Sequence, residues 1–136
     1  MMTLGAQLFT LRDYCKNLND FAETLKKVAA IGYKDVQVSG TCDYEADWLA
    51  EQLAKNGLTC SITHTNPNKI ILETEKVIAD HNVFHCDYIG IGSLPGGVEN
   101  YFGFREDIRE AAHKIAAAGK TLMMHNHHRE FQRSGP

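Results

Sequence analysis

One junction recurs three times along the chain, and it restricts the possible folds more than any other feature. In each copy an amphipathic helical segment ends at a glycine, Gly32, Gly57 or Gly119, and a β-rich run follows. A glycine just after a helix can adopt the left-handed conformation that ends the last turn. The first two glycines are 25 residues apart, and the third follows 62 residues later, about two further units. This spacing predicts a β/α repeat.

Hydrophobic periodicity places the elements of this repeat. Asp20 and Glu23 predict a capping box at the start of the first helix. Apolar residues at helical spacing then predict four helices, the last two near residues 73–80 and 104–118. Because helix-length segments separate the strands, the strands are expected to pair in parallel. The five predicted strands lie at residues 4–9, 34–39, 58–63, 87–92 and 120–125.

A TIM barrel and a doubly wound open sheet share this local pattern, and two features favour the barrel. No G-x-G-x-x-G motif follows the first strand. Polar residues also lie on or just after every predicted strand, and the strand ends of a barrel converge on one mouth. A whole barrel needs eight strands and about 250 residues. Residues 1–136 are therefore predicted to form a single α/β domain, an incomplete TIM barrel of about five strands and four helices.

The expected partners follow from this incompleteness and from the charge. An incomplete barrel leaves the edges of its first and last strands unpaired, so we expect a homo-oligomer, or another chain, to cover them. The net charge of −3 argues against nucleic acid as the main partner, because phosphate binding favours a basic surface. No apolar stretch approaches the roughly 20 residues that cross a bilayer, so no membrane association is expected.

Cysteine usage and the first residues indicate the compartment. Cys15, Cys42, Cys60 and Cys86 lie 18 or more residues apart and form no C-x-x-C pair. That spacing is not typical of a zinc ribbon or of a small disulfide scaffold. The opening MMTLGAQLFT lacks the basic and long apolar regions of a signal peptide. A cytoplasmic protein with reduced thiols is the expectation.

The segment LMMHNHHREF, residues 122–131, concentrates polar and ionisable side chains at the end of the last predicted strand. His125 and His127 share one face by period-two alternation, and Asn126 faces the other way in a regular strand. Two imidazoles on one face can bind a divalent metal or transfer protons, and Glu130 can add a ligand or act as a base. A polar strand end whose histidines only form hydrogen bonds is an equally open alternative.

Three other positions are candidates with open alternatives. His64 shares parity with Ile62, so a regular strand would direct it away from the barrel interior unless a bulge or the strand end turned it inward. The side-chain amides of Gln7 and Gln37 each need a hydrogen-bond partner, either a polyhydroxylated ligand or a structural network. The stretch IGIGSLPGG, residues 89–97, is either a turn or a phosphate cradle. Its Gly90 and Gly92 would leave room for a ligand.

Three stretches, GAQLFTLRD, AAIGYKDVQVSG and above all MMHNHHREF, resemble the sugar phosphate isomerase/epimerase family of the xylose-isomerase-like TIM-barrel superfamily. The chain resembles about the first half of that family's length. The resemblance implies an enzyme that moves a sugar carbonyl or inverts the neighbouring stereocentre, with a divalent metal (Mn, Mg, Zn or Co) and carboxylates moving the proton. It implies that Glu130 and His125 are catalytic and that His127 and Glu130 bind the metal. Gln7, His64 and Asn126 would contact a small sugar or sugar derivative.

Two departures limit what the resemblance implies. His128 and Arg129 are unusual fillers before Glu130, and the family's remaining metal ligands and second catalytic acid lie on later strands. Weak metal binding and little turnover are therefore expected of these 136 residues. Two alternatives remain open, a non-catalytic half-barrel that assembles with itself or another chain, and a metal-dependent hydrolase of the abasic-site endonuclease type.

Overall fold

The computed structural model describes residues 3–131 and Arg133. Five parallel strands form one sheet, and their order across the sheet is their order along the chain. A doubly wound sheet would reverse its strand order, whereas a barrel wall does not. The prediction of a partial α/β barrel is therefore confirmed. The strands are β1 (Gly5–Gln7), β2 (Asp35–Val38), β3 (Thr59–His64), β4 (Tyr88–Ile91) and β5 (Thr121–Met124).

Four helical connections join these strands, and two of them contain a pair of α-helices rather than the single helix predicted. The first connection also contains a 3₁₀ helix, Leu8–Tyr14, before its α-helix. The third connection has an extra short helix because Asn66 caps it and Pro67 occupies its first turn. The fourth is divided at Ile108. The helices are α1 (Leu18–Ile31), α2 (Ala46–Asn56), α3 (Pro67–Leu72), α4 (Thr74–Val83), α5 (Tyr101–Asp107) and α6 (Arg109–Ala117).

The predicted capping box of the first helix is wrong by one turn. Asn17 is the N-cap of α1, because its side-chain oxygen accepts a hydrogen bond from the Asp20 backbone N–H at 3.0 Å. Its amide nitrogen also donates to the Asp20 carboxylate at 2.7 Å. Asp20 is therefore the acidic partner in the first turn and not the cap itself. The predicted buried stripe is present, since Phe21, Leu25 and Val28 are all buried.

The three glycine junctions behave as predicted. Gly32, Gly57 and Gly119 have φ values of 115°, 62° and 75°, which lie in the left-handed region. No heavy atom lies within 4 Å of a Cβ built on any of them. Conformation, and not crowding, is therefore the reason for glycine at these helix ends.

The helices cover one face of the sheet and leave the other open. Val36 of β2, Cys60 of β3 and Ile89 of β4 are buried on the helix side. On the opposite face Tyr88 and Met123 keep 46% and 44% of their surface exposed. That face would line the interior of a closed barrel. Among the described residues, β1 and β5 each have an edge without a partner strand.

Two further observations concern the thiols and the lengths of the helices. Cys15, Cys42, Cys60 and Cys86 are all free thiols, and three of them are buried. Across the part of the chain that the structure describes, every helix is too short or too polar to cross a bilayer.

Acidification is expected to destabilise this fold through His81, which is buried on α4 and only 3% exposed. Burial lowers the pKa of His81 below its ordinary value of 6.5. The unfolded chain therefore binds a proton as the pH falls below 6.5, while the folded chain does not yet bind one. The free energy of unfolding should fall by up to about 1.4 kcal/mol per pH unit from this group, until the folded pKa is reached.

Urea unfolding at pH 7.5 and pH 5.5 measures this loss of stability. The variant His81→Gln should show a smaller loss between the two pH values, since its side chain cannot titrate there. An equal loss in His81→Gln and in the natural sequence would contradict the assignment.

Candidate functional site

The C-terminal ends of the five strands surround one cavity of about 330 Å³, which we call the rim cavity. Four residues predicted from the sequence to form the site line it together. Phe9 and Gly40 also line it, and no motif in the sequence indicated them. The polar lining residues are Gln7, Ser39, His64, Ser93, His125 and His127.

A bulge in β3 brings His64 to this cavity. The register between β2 and β3 shifts between Val36 and Gln37, and the shift leaves Ser61 as an extra residue. Beyond the bulge Thr63 points to the helices and His64 points to the open face. Of the two conditions under which His64 was expected to turn inward, a bulge or the strand end, the structure shows the bulge. The extra residue reverses the alternation of side chains.

Two protein groups already occupy both ring nitrogens of His64. Its Nε2 lies 2.7 Å from the Gln37 side-chain nitrogen, and its Nδ1 lies 2.9 Å from the Ser39 hydroxyl. The Gln37 amide therefore has a partner within the protein, as one of the two alternatives held. Burial lowers the pKa of His64, and the neighbouring His125 and His127 lower it further. His64 is accordingly a neutral, fixed ring at neutral pH.

The two glycines of β4 and its following loop make room for this ring, and Gly92 also lines the rim cavity. A Cβ on Gly92 would lie 2.9 Å from His64 Nδ1. A Cβ on Gly90 would lie 3.1 Å from His64 Cδ2 and 2.4 Å from the Thr63 carbonyl oxygen. The expected empty space beside Gly90 and Gly92 is therefore occupied by an imidazole from the neighbouring strand.

Replacing Gly92 with alanine is expected to displace the His64 ring and to break its bond to Ser39. The pKa of His64 should then rise towards its ordinary value of 6.5, because the ring becomes more exposed. Overpacking should cost roughly 1–3 kcal/mol of stability. NMR titration of the imidazole signals measures the pKa, and Ser93→Ala is a control in the same cavity. An unchanged His64 titration in Gly92→Ala would contradict the packing described.

The three histidines of the rim cavity contact one another. The rings of His64 and His125 meet edge to face, with centroids 5.2 Å apart. The rings of His125 and His127 stack, with centroids 4.7 Å apart and planes 20° apart. His125 and His127 thus lie on one side, although β5 ends at Met124. Because a charge on either neighbour would repel a charge on His64, His125 and His127 add to the effect of burial in keeping the His64 ring neutral.

Glu130 lies beside this cluster, in a second cavity of about 410 Å³ that we call the loop cavity. Its carboxylate accepts a hydrogen bond from the His127 backbone N–H at 2.7 Å. That bond lowers the pKa of Glu130, so the group is an ionised carboxylate at neutral pH. Ser93 and His127 line both the loop cavity and the rim cavity. Asn126, the remaining predicted residue, lines neither.

A metal centre does not fit the described side chains by themselves. Within residues 3–131 and Arg133, no three His, Cys, Asp or Glu side chains come together as a ligand set. The predicted metal ligands are His127 and Glu130 alone, and His64 cannot join them because both its nitrogens are engaged. Two ligands are fewer than the three or four protein ligands of an ordinary zinc site.

Comparison with known proteins gives the fold a context. No family model matches the sequence, and no curated protein matches it. A sugar phosphate isomerase/epimerase structure from Parabacteroides distasonis superimposes with a TM-score of 0.76 at 20% identity. The match covers 96% of this chain and 53% of that one. The chain has the fold of about half of a TIM barrel.

Two other solved structures superimpose on the same half-barrel. An AP endonuclease of family 2 from Brucella melitensis gives a TM-score of 0.69 at 20% identity, covering 91% of this chain and 55% of that one. A xylose isomerase-like TIM barrel protein from Mycobacterium smegmatis, in complex with magnesium, gives a TM-score of 0.60 at 15% identity. That match covers 91% of this chain and 56% of that one. The chain spans about half the length of these structures, consistent with the predicted N-terminal half.

Proposed function

We propose that the chain belongs to an isomerase or epimerase that moves a proton next to the carbonyl of a small sugar or sugar derivative. The observation that carries the proposal is the convergence of Gln7, His64, His125 and His127 on the rim cavity. The fold shared with a sugar phosphate isomerase/epimerase supports the substrate class. A cytoplasmic place in carbohydrate metabolism follows from this function.

The proposed chemistry begins at the carbon next to the substrate carbonyl. The Glu130 carboxylate takes the proton of that carbon, and the electrons of the C–H bond form the double bond of an enediolate. The carbonyl oxygen then holds the negative charge, which hydrogen-bond donors of the histidine cluster stabilise. In isomerisation the hydroxyl proton of the enediolate moves to the charged oxygen, and His125 gives a proton to the former carbonyl carbon. In epimerisation His125 gives a proton to the opposite face of the same carbon. Exchange with solvent then removes the proton from Glu130 and returns one to His125, which restores both groups.

Gln7 would hold the substrate from the rim cavity. His64 can contact it only through its ring surface, because both its nitrogens are engaged, and the predicted contact of Asn126 would require a movement towards the cavity, which Asn126 does not line.

A divalent metal remains a prediction of the resemblance, with its identity open among Mn, Mg, Zn and Co. His127 and Glu130 would supply at most two of its ligands, so other parts of the assembled protein would have to supply the rest. Such an ion would polarise the substrate oxygens. Glu130 and His125, which carry the proposed proton transfers, are both residues of this chain.

Exchange of substrate hydrogen with D₂O tests the proposal more sensitively than net conversion. The full chain is incubated with unphosphorylated and phosphorylated ketoses, and NMR detects deuterium at the carbon next to the carbonyl. Enzyme-dependent exchange with at least one ketose is the expected result. Exchange no faster than in buffer, with a folded chain and added divalent metals, would contradict the proposal.

A DNA-cleaving function is the second candidate, because the AP endonuclease from Brucella melitensis shares the fold. The net charge of −3 argues against it, since counterion release requires basic contacts with phosphates. Retention of the chain on abasic-site DNA at physiological salt, together with strand cleavage, would favour this candidate over the isomerase.

A non-catalytic assembly is the third candidate, and the open sheet face favours it. Tyr88 and Met123 are about half exposed there, and the edges of β1 and β5 lack a partner strand within the described residues. A homo-oligomer that covers these edges follows from the tendency of bare edges to pair. Light scattering at micromolar concentration measures the assembly, and a stable monomer would contradict it.

A further inference from the structure

A third cavity, of about 240 Å³, lies behind the rim cavity, between the loop after β2 and the helices α3 and α4. We call it the side cavity. Ser39, Gly40 and His64 line both cavities, so the two are neighbours. Thr65, the residue that follows His64 in the sequence, is half-buried and lines the side cavity.

A chain of hydrogen bonds connects Thr65 to a buried histidine. The Thr65 hydroxyl lies 2.8 Å from the Thr63 hydroxyl. The Thr63 hydroxyl lies 2.8 Å from His81 Nε2, and His81 Nδ1 lies 2.7 Å from the Val77 carbonyl oxygen. Thr63 is 2% exposed and His81 is 3% exposed, so water does not compete for these contacts. This series of hydrogen bonds therefore ends at the Val77 carbonyl oxygen.

The direction of every bond follows from that end. A carbonyl oxygen can only accept, so His81 Nδ1 carries the hydrogen. Burial lowers the pKa of His81, and Lys120 and Lys69 lower it further, against the opposing effects of the Val77 carbonyl and Asp80. A neutral ring has one N–H, so Nε2 accepts from the Thr63 hydroxyl.

The hydroxyl hydrogens of Thr63 and Thr65 can be assigned in the same way. The single hydrogen of Thr63 is used on His81, so the contact between the two threonines requires Thr65 to donate. The single hydrogen of Thr65 is then used as well, and its oxygen offers only lone pairs to the side cavity. A hydroxyl that could ordinarily donate or accept is thereby restricted to accepting.

We propose that the side cavity binds a hydroxyl group of a polyhydroxylated ligand, and that Thr65 is an obligate acceptor for it. Tyr44 lines the same cavity, and burial raises the pKa of its phenol, which therefore stays neutral. Lys69 and Asp80 also line it and lie 4.0 Å apart as an ion pair, so they do not favour a charged ligand of either sign. His81 is a positioning residue, since it sets the polarity of Thr65 without reaching the ligand.

The side cavity is a subsite beside the proposed sugar site, and only the identification of its ligand as the substrate rests on the proposed function. Its test uses no turnover, so failure of the isomerase proposal and failure of the subsite can be told apart. The tautomer of His81 is measured first, by long-range ¹H–¹⁵N correlation on the full chain at pH 7.5. The neutral Nδ1–H form is expected. An Nε2–H form or an imidazolium would overturn the proposal.

Binding is measured with two probes of similar size, of which only one can donate hydrogen bonds. Glycerol can donate hydrogen bonds, whereas 1,2-dimethoxyethane can only accept them. Glycerol should cause saturable shifts of the Thr65 and Asn66 amide signals, and dimethoxyethane should cause none. Absence of a saturable response to glycerol, or an equal response to dimethoxyethane, would overturn the proposal.

Two variants control for the hydroxyl, because valine has nearly the shape of threonine without its hydroxyl and serine keeps the hydroxyl without the methyl group. Thr65→Val should lose the glycerol response, because the acceptor is gone, and Thr65→Ser should keep it. A glycerol response in Thr65→Val equal to that of the natural sequence would overturn the proposal. If Thr65→Val does not fold, the His81 tautomer and the responses of the natural sequence to the two probes still test the proposal.

Discussion

Replacing Gly90 with alanine is expected to destabilise the protein by about 3 kcal/mol, the upper end of the usual cost of overpacking. The new methyl group would lie 2.4 Å from the Thr63 carbonyl oxygen, which is backbone and cannot rotate away. It would also lie 3.1 Å from both Ile62 Cδ1 and His64 Cδ2. Since His64 is opposite Gly90 in the β3–β4 pairing, the two strands would have to separate. Urea unfolding followed by circular dichroism measures the loss.

Gly103→Ala is the matched control for this substitution. Its added methyl group would meet only the flexible end of the Asn100 side chain, at 2.7 Å, and the helix interior favours alanine over glycine. Its stability should therefore stay within about 1 kcal/mol of the natural value. Equal losses in Gly90→Ala and Gly103→Ala would contradict the close approach of β3 and β4.

Replacing His125 with alanine is expected to slow the proposed hydrogen exchange by about 10²- to 10⁴-fold, the usual contribution of a general acid–base group. His125 lines the rim cavity and contacts both other histidines of the cluster. Its side chain is exposed, so its removal should leave the stability almost unchanged. The measurement is the rate of deuterium incorporation next to the substrate carbonyl.

His113→Ala provides the control, because His113 is an exposed histidine on α6 and lines neither the rim cavity nor the loop cavity. It should retain the full exchange rate. If His125→Ala and His113→Ala exchange at the same rate, His125 is not the proton donor, and the proposed role must be given up.

Local chemistry allowed much of the fold to be predicted from the sequence. Gly32, Gly57 and Gly119 mark helix ends by their conformational freedom alone, so a single position predicts each junction. The apolar stripe of α1 is equally local. Asn17 was missed as a cap because Asp20 and Glu23 form the same kind of pattern one turn later.

The errors at the site arise from contacts between distant parts of the chain. The extra residue at Ser61 is defined only by the pairing of β3 with β2, and TCSITH alternates as a regular strand would. The space beside Gly90 and Gly92 is occupied by His64, which comes from another strand. His81 looks like an ordinary helix residue in sequence, and only the fold places it against Thr63.

The central claim is that successive parallel strands bring His64 and His125 to one cavity, and nuclear Overhauser effects between their rings test it directly. The ring centroids are 5.2 Å apart, so cross-peaks between the ring protons of His64 and His125 are predicted in the full chain. Assigned spectra of the folded chain that lack these cross-peaks, with His64 and His125 close to unrelated residues, would contradict the account.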